Sequence, residues 1–163
     1  MRSKAAIGGH PIHPMLVPIP IGAFFLALVG DVLHAATPAD PFWYDFSFTC
    51  LGIGLIFAVL AAIAGAVDYL GVRMSSRAFH LASWHAILNA AAVVLFGATF
   101  ILRRSGGAAS GWRWTAAFAL LLTGFAAMGG AGWLGGKLAY EHRVGVRDEP
   151  PASSRPRSIS AAS

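Results

Sequence analysis

Six histidines and seven carboxylates are the side chains best suited to chemistry in this chain of 163 residues. His10 and His13 stand in Gly-His-Pro-Ile-His-Pro, each directly before a proline. A residue before proline is pushed to the extended or polyproline II region. Polyproline II repeats every three residues, so the spacing predicts both imidazoles on one edge of an extended lead-in through Pro14. A stiff pair of neutral imidazoles suits a haem iron, a divalent transition metal or a proton. The plainer alternative is two interfacial residues ahead of a helix.

His85 and Asn89 lie four apart and share a helical face. His85 falls inside an apolar run, so it is expected to face the interior of a bundle. His80 lies about 140° around the same helix and is assigned a supporting or interfacial place, with Asn89 supporting His85. Asp68 closes an apolar run beside Tyr69, where its carboxylate can accept from a histidine and fix its tautomer, or pair with Arg73 or Arg77. Lys137 and Glu141 have the spacing of an ordinary helix pair. His142 continues the face of Gly135 and Leu138 and reaches the other histidines only if the last helix runs one turn further.

The elements that must position these groups are apolar. Hydrophobic residues make up 56% of the chain and charged residues 12%, against about 25% charged in soluble domains. The mean hydropathy is +0.64. A helix needs about 20 apolar residues to cross the hydrocarbon core. Four stretches qualify, about Met15 to His34, Phe46 to Leu70, Ala78 to Leu102 and Trp114 to Gly136. Short connections make consecutive helices antiparallel neighbours. The expected fold is all-α, an integral membrane four-helix bundle running up-down-up-down over residues 1–147, followed by a disordered tail over 148–163.

Orientation follows from the basic residues. With the amino terminus inside, nine Lys and Arg residues fall inside and only Arg103, Arg104 and Arg113 outside. Both termini are therefore expected on the cytoplasmic side of a bacterial inner membrane. Phe42, Trp43, Tyr44, Trp112 and Trp114 mark the outer boundary, and Tyr69 and Tyr140 the inner. Most histidines, with Asp68 and Glu141, then gather at the cytoplasmic face, while Asp31 and His34 lie near the outer end. A cleaved signal peptide is the competing reading of the first span, opposed by its prolines and its long polar lead. The net charge of +5 sits at segment ends, not in a stripe beside aromatics, which argues against nucleic acid and for a lipid partner. Cys50, the lone cysteine, reads as a small buried hydrophobe. Ala61/Gly65 and Gly132/Gly136 have the small-xxx-small spacing that lets helices approach. No internal repeat stands out, although a pair of hairpins could conceal a weak one.

Gly9 to Gly22, Gly-His-Pro-Ile-His-Pro-Met-Leu-Val-Pro-Ile-Pro-Ile-Gly, resembles the opening signature of the predicted bacterial membrane proteins called DUF2231. Asp68-Tyr69-Leu70, Gly132-Trp133-Leu134-Gly135-Gly136 and Val144-Gly145-Val146 are similar to later landmarks of that family. The resemblance spans about residues 8–147 and implies a four-helix membrane domain without an assigned activity. Related domains occur joined to Rieske or cytochrome modules, which implies redox partner proteins by association. His10, His13, Asp68 and His142 match the family pattern. The pattern often carries a further histidine where this chain has Pro18, which weakens any scheme needing a ligand there.

Three functions follow as expectations. The first is electron transfer, with haem b or a quinone held by His10, His13, His85 and His142, His85 with His13 or His10 being the preferred axial pair. The second is a divalent metal or proton site of a transporter or accessory protein, using His10, His13 and Asp68. The third is a non-catalytic membrane scaffold. No Walker loop, dinucleotide fingerprint, nucleophile elbow or HExxH motif is present, so a stand-alone enzyme is not expected. Substrate, physiological partner and oligomeric state are not legible in the residues.

Overall fold

The computed structural model describes residues 4–104, 110–144 and 146. The expected disordered tail lies outside them. Four helices are long and apolar enough to cross a membrane, at Ile12–Ala36, Pro41–Gly71, Ser76–Arg104 and Gly111–Tyr140. They run beyond the expected spans at both ends. At 1.5 Å per residue the 31-residue second span is about 46 Å long, so its ends stand clear of a ~30 Å hydrocarbon core.

The chain begins with a small hairpin, β1 (Ala6–Ile7) and β2 (His10–Pro11), paired Ala6 with Pro11 and Ile7 with His10. Gly8 and Gly9 turn it with φ of 57° and 80°, a left-handed pair that a two-residue turn of this hand requires. The polyproline lead-in is therefore shorter than the His-Pro spacing suggests. Helix α1 (Ile12–Leu16) already contains His13 and Pro14, because proline is tolerated in a first turn, where its missing N–H leaves no helical bond broken.

Helix α2 (Pro18–Ala36) continues the first span after a break at Val17. Pro18 and Pro20 have no N–H, so the carbonyls of Pro14 and Leu16 lose their helical donors. The chain bridges the break through Val17 N–H to His13 O at 3.1 Å and Ile21 N–H to Val17 O at 3.3 Å. Helix α3 (Pro41–Gly71) starts with Pro41 in its first turn and with the Asp40 carboxylate accepting from Phe42 N–H at 2.9 Å. Helix α4 (Ser76–Arg104) is opened by Ser75, whose hydroxyl accepts from Ala78 N–H at 3.3 Å. Helix α5 (Gly111–Tyr140) ends with Arg143 at φ 51° and Val144 N–H on Leu138 O at 3.0 Å. Val144 also packs against the cluster of Ala78, Ala82 and Leu138, so a left-handed residue followed by an apolar contact closes the helix end.

The packing is that of a lipid-exposed bundle. Large apolar side chains point outward, among them Leu70, Val94, Ile101 and Trp133, while the interior is built on small residues. Ala27, Ala61, Ala78, Ala92, Ala117 and Ala131 are all buried. Small residues let backbones approach where lipid supplies no hydrophobic drive between helices.

The interior also contains a repeat. Positions 13, 24, 27 and 31 of the first hairpin correspond to 85, 96, 99 and 103 of the second, a constant step of 72. Positions 47, 51, 54, 61 and 65 correspond to 117, 121, 124, 131 and 135, a step of 70. Phe24 lies over Gly54 and Phe96 over Gly124, so closely that a methyl group at either glycine would stand 2.5 and 2.6 Å from the ring. Ser47 Oγ donates to Ala27 O at 2.8 Å, and Thr99 Oγ1 shares the equivalent contact with Ala117 O at 3.4 Å. Leu51 and Leu121 are both fully buried. Where the hairpins meet, Phe24 stacks on its own equivalent, Phe96, with ring centroids 3.9 Å apart. A residue meeting its own equivalent is what a two-fold relation between identical surfaces produces. The two hairpins are thus related by a pseudo-two-fold axis along the bundle.

Candidate functional site

Two further contacts between equivalent positions lie on that axis, one on each side of the stacked phenylalanines. Toward the end that carries the described termini, His13 meets His85 edge to face, with ring centroids 6.2 Å apart and planes at 85°. Each ring is held the same way. His13 Nδ1 bonds Ala61 O at 2.8 Å and His85 Nδ1 bonds Ala131 O at 2.8 Å. A carbonyl only accepts, so both Nδ1 atoms carry a proton, and Nε2 is the atom of each ring left to gain or lose one. His85 Nε2 receives the Asn89 amide N–H at 3.1 Å, while the same amide also reaches His85 O at 2.9 Å.

Glycine makes this clamp fit. A methyl at Gly65 would stand 3.0 Å from His13 Nδ1, and one at Gly135 3.0 Å from His85 Cε1. Each ring therefore sits on an Ala-x-x-x-Gly stretch of the next helix, with the alanine carbonyl as acceptor and the glycine as floor. The Ala61/Gly65 spacing expected for helix packing serves this imidazole, and Ala131/Gly135 serves its equivalent.

At the opposite end Arg103 Nη2 donates to Asp31 Oδ2 across the same axis, and both side chains are fully buried. Arg103 Nη1 donates to Ser47 Oγ at 2.8 Å. The Tyr44 hydroxyl reaches Arg103 O at 3.4 Å, and its ring lies 5.9 Å from the guanidinium carbon. Among the described residues Asp31 Oδ1 and Arg103 Nε are buried without a hydrogen-bond partner. His34 is buried beside Tyr44 and Trp114. Sequence reasoning left this pair out, placing Asp31 and Arg103 only as outer residues. The step of 72 between them was its one available signal.

The other expected site residues are dispersed. His10 is exposed on β2, while His13 lies in α1 with its Nδ1 on Ala61 O. Asp68 Oδ1 accepts from Lys4 N–H at 2.7 Å and Ala5 N–H at 2.9 Å, and Ile12 N–H bonds Ala5 O at 2.8 Å. These bonds make Asp68 the clasp of the amino-terminal hairpin. His80 Nε2 accepts from Trp84 Nε1–H at 3.2 Å on an exposed face. His142 lines a groove with His80, Lys137 and Glu141, at the end of α5 rather than at the His13–His85 pair. Among the described residues no three His, Cys, Asp or Glu side chains converge as a metal site. Cys50 is buried, as expected.

Bis-imidazole ligation of haem, the arrangement expected of this pair, needs two rings aimed through Nε2 at one iron from opposite faces of a flat macrocycle. Here the two rings contact each other edge to face, and His85 Nε2 already accepts from Asn89. The pair as arranged does not fit axial ligation.

Four apolar spans and an outward-facing apolar surface define a multi-pass membrane protein in contact with the lipid bilayer. The family described as predicted membrane protein (DUF2231) matches residues 9–148, and the chain belongs to it. No curated protein matches the chain, and no solved structure does.

Proposed function

We propose that the chain is a subunit of the bacterial inner membrane with both termini cytoplasmic, and that its His13–His85 pair binds a single proton for relay within the bilayer. The observation that carries this reading is the shared clamp, in which both Nδ1–H groups are spent on helix carbonyls. Any further proton must then enter at Nε2, and of the two such atoms only that of His85 is held by Asn89. Two positive charges 6.2 Å apart repel by about 3 kcal/mol at an effective dielectric constant near 20. The pair therefore takes up one proton and resists the second. The excess of basic residues at the same end supports the orientation.

Electron transfer as a haem b or quinone-associated subunit draws on the same rings, and the arrangement supports it less. A quinone oxygen needs an imidazole N–H donor, and both Nδ1–H groups are already engaged.

The test is nitrogen NMR of histidine-labelled protein in lipid bilayers across a pH titration. Both Nδ1 atoms stay protonated throughout, one Nε2 gains a proton as the pH falls, and His13→Ala removes that step. Two rings charging together, or an unprotonated Nδ1 in either, would overturn the reading. A Soret band that appears on haem supplementation and is lost in His85→Ala would favour electron transfer instead.

A further inference from the structure

We infer that the groove between the start of α4 and the end of α5 holds the phosphodiester headgroup of an anionic glycerophospholipid. The groove encloses about 730 Å³ and is lined by Ser76, Arg77, His80, Lys137, Glu141 and His142 over a floor that includes Leu81. Neither His13 nor His85 lines it, so it stands apart from the axial pair.

The lining is built of donors. Arg77 and Lys137 bring two positive charges against the one carboxylate of Glu141. His80 accepts the Trp84 indole N–H at Nε2, which places its own proton on Nδ1 and makes that atom a donor. Ser76 adds a hydroxyl where a 29-residue helix begins, the end whose dipole favours an anion. An Arg with a Lys, a hydroxyl and two imidazoles match the oxygens of a phosphate better than those of a carboxylate, because more donors than two acceptor atoms are present.

Position decides between a free phosphate and a lipid. The groove opens where the helices end, and exposed aromatic side chains neighbour its lining residues along both helices. Phe79 and Trp84 are each half exposed, and Tyr140 is 88% exposed. A headgroup in the groove lays its acyl chains along these side chains in the outer shell of lipid. Basic pockets between helices at the cytoplasmic boundary are suited to such headgroups.

The full chain in mild detergent, examined by native mass spectrometry, tests this with phosphatidylglycerol, phosphatidylcholine and glycerol phosphate as probes. Wild type retains phosphatidylglycerol over phosphatidylcholine. Each neutralised cation weakens retention about fivefold, so R77Q/K137Q loses about 25-fold while R77K/K137R stays close to wild type. Should R77Q/K137Q fail to fold, K137Q alone carries the fivefold expectation. Equal retention of the two lipids, or unchanged retention in the neutralised variants, overturns the proposal. Glycerol phosphate binding as tightly as the whole lipid overturns the lipid as occupant and leaves a free-phosphate site.

Discussion

Exchanging the charges of Asp31 and Arg103 tests the pseudo-two-fold axis most directly. The two side chains are fully buried and bonded to each other. Removing either partner strands a charge in a low-dielectric interior, which costs about 3–5 kcal/mol. Asp31→Ala and Arg103→Ala should each fall in that range. The variant D31R/R103D keeps the pair and the charge at that end of the bundle. If the positions are equivalent, the loss is confined to the Ser47 Oγ bond to Arg103 Nη1, worth about 1.5–3 kcal/mol for a charged donor. The equivalent of position 47 is position 117, an alanine, so an arginine at 31 finds no hydroxyl there. Adding Ala117→Ser should restore most of the loss. Unfolding in mixed micelles of rising sodium dodecyl sulfate fraction, followed by circular dichroism, gives the ranking. An exchange variant as unstable as either single variant, with no recovery from Ala117→Ser, would refute the equivalence of the two hairpins.

Four other outcomes follow from the same geometry. Gly54→Ala and Gly124→Ala should destabilise by similar amounts, about 1–3 kcal/mol each, because each methyl meets a phenylalanine held in the central stack. Gly97→Ala, which meets open space, should be neutral or slightly stabilising in the same unfolding assay. Asp68→Ala should raise hydrogen exchange at the Lys4, Ala5 and Ile12 amides by about ten- to a hundredfold, with the helices unaffected, since two charge-assisted bonds hold that hairpin. Gly65→Ala and Gly135→Ala should displace the His13 and His85 rings respectively, read as a changed Nδ1 resonance confined to the ring above the substitution.

Hydropathy and the placement of aromatics made the four spans legible, because burial in lipid constrains composition along whole helices. His85 was recognised as inward-facing for a similar reason, since an isolated polar ring inside an apolar helix must find a partner. The partner itself was not legible. Ala61 O and Ala131 O are backbone atoms, and any residue at those positions carries the same carbonyl. His10 and Asp68 were grouped with His13 by nearness along the chain and side of the membrane. The Gly8-Gly9 turn and the clasp of Asp68 on Lys4 and Ala5 direct them elsewhere.

Residue types and their order alone determined that this chain is a helical membrane bundle and which of its ends is the more basic, since both depend on local composition. The tertiary structure alone decided which polar groups share a site. It set His13 against His85 and Asp31 against Arg103, residues 72 positions apart, by packing one hairpin on its own near-copy. Six of the nine paired positions carry the same residue, and what they preserve is defined by space: a glycine under a ring and a carbonyl facing an imidazole, with opposite charges at 31 and 103. Such constraints act between helices, and they become visible only when the helices are assembled.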